Sequence, residues 1–153
     1  MSNIRVIYED AEGVKVMQPT DNGLKERSLE EIIDRSIPDD VFYVITDISQ
    51  LPASREFRGA WHLKNNKIEH DLEKAKAIQL DRLRQARDRA LVEMDGEQMK
   101  LQSLDESIDP IKDKKNRLRN VTDPIKELDT NTCSLDDIRA LGNPDQIKEI
   151  LGA

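Results

Sequence analysis

The chain has 153 residues, enough for one ordinary domain or two small ones. With 36% charged and 3% aromatic residues it has no material for a generous core, which favours thin helices on a small sheet over a large enzyme domain. A formal charge of -7 sets the whole-molecule field against phosphate backbones and anionic membranes, so neither nucleic acid nor a membrane surface is an expected partner.

The first stretch alternates: Ile4, Val6 and Tyr8 interleave with Asn3, Arg5 and Ile7, then Asp10 to Gly13 supply turn chemistry before a β-branched run, Val14 to Met17. This predicts a hairpin with a five-residue connection. Pro19, Asp21, Asn22 and Gly23 read as a loop, and Ser28-Leu29-Glu30-Glu31 reads as a capping box opening a short helix that buries Leu29, Ile32 and Ile33 and ends before Pro38. Val41 to Thr46 is the most strand-like run, and its composition predicts the central strand of a small α+β unit. After an exposed connection, Asp47 to Arg58, stands Trp61, expected either to anchor the β unit or to serve as a contact hot spot. Lys64-Asn65-Asn66-Lys67 then turns a two-stranded ribbon, which would bring His62 near His70.

From Asp71 to about Met99 runs a long amphipathic helix with a narrow stripe of Leu80, Leu83, Ala86, Ala90 and Met94. A stripe so rich in alanine buries little area, and it needs a partner helix or a second chain to offset the entropy of ordering. The pattern weakens at Asp95-Gly96, where the helix is expected to end or bend. Leu101, Leu104, Ile108 and Ile111 at steps of three and four, with Leu118 and Val121 further on, predict a second helix from about Ser103 to Asn120, with Pro110 either in its first turn or kinking it, and the two helices form an antiparallel hairpin. Asp123-Pro124, Ser134 to Asp137 and Asn143-Pro144 are helix starts, with Gly142 and Gly152 as stops, so short helices are expected at about Leu135 to Leu141 and Pro144 to Leu151. The predicted fold is α+β: a small N-terminal antiparallel β unit with one short helix (1–62), a β-ribbon and long helical hairpin (63–122) and short C-terminal helices (123–153).

Chemistry-bearing patterns are sparse. His62 and His70 lack the spacing that puts two ligands on one helix face, Cys133 has no cysteine to pair with, and the acid pairs Glu30-Glu31 and Asp136-Asp137 sit where carboxylates complement helix starts. The basic runs Arg82 to Arg89 and Lys112 to Arg119 are interrupted by acids and lack stacking aromatics, which reads as solvated helix face. There is no glycine-rich phosphate loop, G-x-S-x-G elbow or H-E-x-x-H pair. No catalytic, cofactor-binding or metal-binding residue is predicted, and the first 13 residues, without a charged leader and apolar run, predict no secretion signal.

LPASREFRGAW, then LEKAKAIQLDRLRQARDRALVEMD and KKNRLRNVTDP, together resemble small bacteriophage proteins encoded near tail and tail-fibre genes. The helical half is also similar to the C-terminal part of phage tail-assembly and tail-fibre-assembly chaperones. The residues after Asp123 and the lack of a tryptophan-proline ending depart from that pattern. The resemblance implies a non-enzymatic protein that binds phage structural proteins of the tail, tail fibre or capsid. It would act as an assembly factor in the host cytoplasm, or as an accessory adaptor or decoration in the virion. A reading of another class is a small regulatory protein acting as a helical homo-oligomer. The residues expected at a contact are Trp61, Leu80, Leu83, Ala90 and Met94, which ordinary core packing would equally explain.

Overall fold

In the computed structural model, which describes residues 3–152, the chain forms two units, Met1–Asp71 and Leu72–Ala153. The fold is α+β.

In the first unit β1 (Ile4–Asp10) pairs antiparallel with both β2 (Gly13–Met17) and β3 (Tyr43–Asp47), giving the order β2-β1-β3. The expected central strand is thus an edge strand, and β1 takes the middle. A β-branched run announces a strand but not its place in the sheet; the burial of Val6 and Ile7, 0% and 1% exposed, marks β1 as the shared element. The hairpin is also tighter than expected. Asp10 stands opposite Gly13, so only Ala11 and Glu12 make the turn; the Asp10 carboxylate accepts from the Glu12 N–H at 2.8 Å and Gly13 takes a φ of +121°.

The stretch expected as a loop after Pro19 contains a helix, α1 (Asp21–Glu26), because Thr20 Oγ1 accepts from the Gly23 N–H at 2.9 Å and caps it despite its turn-like composition. The unit therefore has two short helices. In α2 (Leu29–Ser36) the Ser28 hydroxyl accepts from the Glu31 N–H, and Ile33 with Ile37 packs on Val6, flanked by Tyr8, Met17, Leu29 and Val41. Short 3-10 turns at Ile48–Gln50 and Arg58–Ala60 lead to the ribbon of β4 (Trp61–Lys64) and β5 (Lys67–His70). Asn65 and Asn66, with φ of 52° and 62°, close it as the two left-handed residues of a tight hairpin turn.

The second unit is built on α3 (Leu72–Ser103), whose 32 residues span about 48 Å. It passes through Gly96 and takes up Leu101 to Ser103. One solvent-side glycine costs about 1 kcal/mol, too little to stop a helix anchored by buried Met94 before it and held by Lys115 at Asp95 and Gln98 on either side. The next helix, α4 (Asp109–Asn120), consequently starts later than Ser103, and Pro110 occupies its first turn, where a missing N–H costs nothing. A one-turn α5 (Asp123–Lys126), α6 (Leu135–Leu141) and α7 (Asp145–Gly152) complete the unit, and α4, α5, α6 and α7 all pack on α3. Leu83, Leu118, Ile125 and Ile138 are fully buried at its centre.

The caps are chemically explicit. Ser134 and Asp137 exchange side-chain hydrogen bonds with each other's backbone N–H in a full capping box on α6. Lys76 Nζ donates to the carbonyls of Lys126 and Leu128 at 2.8 and 2.9 Å, and Lys114 Nζ to that of Leu151 at 2.9 Å, each cation meeting carbonyls at or beyond a helix C-terminus. Among the described residues no helix is long and apolar enough to cross a membrane.

Candidate interaction surface

Of the five residues expected at a contact, Trp61 belongs to the first unit and the others to α3. Trp61 is 3% exposed and its indole N–H donates to His70 Nε2 at 3.2 Å. Leu83, Ala90 and Met94 are buried, and Leu80 is half-buried. The inward face of α3 reads Ala75, Gln79, Leu83, Ala90 and Met94, and this chain's own helices cover it. Those side chains hold the second unit together, so a surface free to meet another protein has to be sought elsewhere.

The ribbon does not bring the two histidines together. Trp61 stands opposite His70 and His62 opposite Glu69; since neighbouring residues of a strand point to opposite faces, the two imidazoles lie on opposite sides. His62 Nε2 lies 3.8 Å from the Glu69 carboxylate, and its Nδ1 is buried without a hydrogen-bond partner. Among the described residues no group of three or more His, Cys, Asp or Glu side chains is placed to hold a metal ion. Three of the α4 cations are engaged within the unit: Lys114 with the Leu151 carbonyl, Lys115 Nζ with the Asp95 carboxylate and, at 2.6 Å, Gln98 Oε1, tying α4 to α3, and Arg119 with Asn116. A cleft of about 530 Å³ on α4 and α7 mixes Asp113 and Glu149 with Arg117 and carboxamides, with no concentration of one charge.

The outer edge of β3 is different. Ile48 N–H donates to the Asn3 carbonyl at 2.8 Å, so residues 3 and 48 form a hydrogen-bonded pair of the β1–β3 ladder. Such pairs alternate with non-bonded ones, so Val44 and Thr46 turn their backbone groups to β1. Tyr43, Ile45 and Asp47 turn theirs outward, where among the described residues no strand pairs with them. The side chains beside this edge are apolar and open: Phe42 is 66% exposed, Ile45 50%, Ile48 45% and Tyr43 40%. Neither lysine, proline nor a bulge blunts the strand, the usual devices by which edges avoid a second chain.

Beyond the Tyr43 end of the edge lies a cleft of about 400 Å³ lined by Val41, Phe42 and Leu63, by Asn65 and Asn66, and by the acidic residues Glu9 and Asp40. Glu9 Oε2 accepts from the Leu63 N–H at 3.2 Å, which fixes one wall, and Asp40 holds a φ of +64° on the other. At the far end the Ser49 backbone N–H donates to the Asp47 carboxylate at 2.9 Å; that bond first, and the Ser49 side chain second, lower the Asp47 pKa below its ordinary value. The first unit as a whole is acidic: nine Lys and Arg against fourteen Asp and Glu up to Asp71 give it -5 of the chain's -7, with Lys64 and Lys67 of the ribbon flanking Asn65 and Asn66.

Sequence reasoning missed this edge because it placed Val41 to Thr46 mid-sheet. A run apolar at both parities, with Phe42 on one and Tyr43 and Ile45 on the other, reads as a strand buried on both faces, and nothing in it marks the edge. Compared with known protein families, curated proteins and solved structures, the chain matches none.

Proposed function

We propose that this is a non-enzymatic binding protein of the bacteriophage tail or tail-fibre region that holds other phage structural proteins through the outer edge of β3. The phage assignment is drawn from the sequence resemblance. The observation that carries the mode of action is the unpaired backbone of Tyr43, Ile45 and Asp47 beside exposed Phe42, Ile45 and Ile48. An added strand would satisfy those backbone groups and remove the apolar side chains from water together. A regulatory dimer paired through the stripe of α3 is less favoured, because self-pairing there would displace the helices that cover Leu83 and Met94.

The test is affinity capture from cells producing the phage, with the native chain and Ile45→Lys as paired baits. Ile45 is half-exposed, so the lysine leaves the fold intact while charging the edge. The reading expects a tail or tail-fibre protein on the native bait and its loss from the variant; equal capture by both, or capture of no phage structural protein, removes it. Mass spectrometry of purified particles then separates the roles: a stoichiometric amount identifies an accessory virion component, and absence from particles an assembly factor.

A further inference from the structure

The cleft at the end of β3 specifies what kind of segment the edge takes. We infer that the occupant is an extended, antiparallel strand of another protein, with alternate apolar side chains against Tyr43 and Ile45 and a lysine or arginine near its C-terminal end entering the cleft between Glu9 and Asp40. This rests on the reading of β3 as the contact edge and adds the chemistry of the partner.

Three features lead there. The outward backbone groups belong to Tyr43, Ile45 and Asp47, whose own side chains share one face, so an incoming strand presents every second residue to them. Antiparallel addition continues the existing sheet and pairs somewhat better per residue than parallel addition. It also carries the incoming C-terminal end past Tyr43 to Phe42 and the cleft, where the acidic residues Glu9 and Asp40 stand with apolar Val41 and Leu63. A long cationic side chain suits such a wall, laying its methylenes on the apolar part and its charge on the acids.

Charge also argues against a second copy as occupant. Two-fold pairing centred on Ile45 would set each Asp47 beside the other copy's Tyr43, at the mouth of its acidic cleft, and would join two units of net charge -5. A cationic strand meets attraction at the same place.

The test uses the full chain and synthetic peptides capped at both ends: Thr-Val-Thr-Val-Thr-Lys-Lys, the same peptide ending in Glu-Glu, and a version with proline at the central valine. Titration calorimetry gives affinities, and amide hydrogen exchange followed by NMR shows where the peptide lies. The lysine peptide is expected to bind about tenfold or more tightly than the glutamate peptide. It should slow exchange at Tyr43 and Ile45, and lose binding with central proline or with Ile45→Lys. Glu9→Gln combined with Asp40→Asn should bring the lysine and glutamate peptides level; asparagine tolerates the left-handed backbone at position 40, so the fold is kept. Equal binding of the two peptides to the native chain, or unchanged exchange at Tyr43 and Ile45, overturns the inference. So does a homodimer in light scattering that Ile45→Lys dissociates, since the occupant is then a second copy. Failure here with an Ile45-dependent tail-protein capture leaves the proposed function standing; success here with no phage protein captured removes that function and keeps the recognition chemistry.

Discussion

Leu83 and Leu80 sit three residues apart on α3, and the difference between them is where residue-scale prediction is sharpest. Leu83 is fully enclosed, so Leu83→Ala should cost about 2–5 kcal/mol in urea unfolding of the full chain, through lost transfer energy and the cavity left behind. Leu80 is only half-buried, and the same change there should cost clearly less. Helical spacing alone identified Leu83, Ala90 and Met94 as inward-facing. It did not find Gln79, because a polar residue is invisible to an apolar pattern; its place is set by the Arg139 carbonyl, which accepts from its Nε2 at 3.3 Å. Asp47 gives a test of another kind. Because Ser49 lowers its folded pKa, the Asp47–Ser49 turn contributes above the ordinary aspartate range, and that contribution is lost as the pH falls through the lower folded value. An NMR titration should show the Asp47 carboxyl ionising below its ordinary value, with Ser49→Ala moving it only part of the way back, since the backbone donor remains.

At the scale of elements, two glycines with similar sequence signals predict opposite outcomes. Gly96 is inside α3 and a methyl group there meets nothing within 4 Å, so Gly96→Ala should stabilise by about 0.5–1 kcal/mol, seen as a higher urea midpoint. At Gly142 the same methyl would stand 2.2 Å from Gln79 Cγ and 2.7 Å from Ile125 Cδ1, so Gly142→Ala should destabilise by about 1–3 kcal/mol. The sequence alone reads both as helix punctuation; Gly96 punctuates nothing, and Gly142 is required by close packing where α6 meets α3 and α5. Element types and most caps were legible because they depend on neighbours in the chain, as Ser134 and Asp137 show. The exchange of places between β1 and β3 was not, since sheet order is decided by long-range pairing. Nor was α1, whose single cap at Thr20 outweighs three turn-forming residues.

For the whole molecule, each unit has its own interior, which makes the division at Asp71 testable. Residues 72–153 expressed alone should fold cooperatively as a helical unit, because Leu83, Leu118, Ile125 and Ile138 all belong to it; a featureless thermal transition by circular dichroism would contradict that. The first unit, at 71 residues with a three-stranded sheet, is nearer the lower limit for an independent fold and should be the less stable piece. The chain also carries its own optical reporter. Its one indole is buried at the base of the ribbon and tethered to an imidazole, so tryptophan emission registers the opening of the first unit alone, while most of the far-ultraviolet helix signal comes from the second. Recording both colours in one denaturation run separates the two melts without a label or a cut.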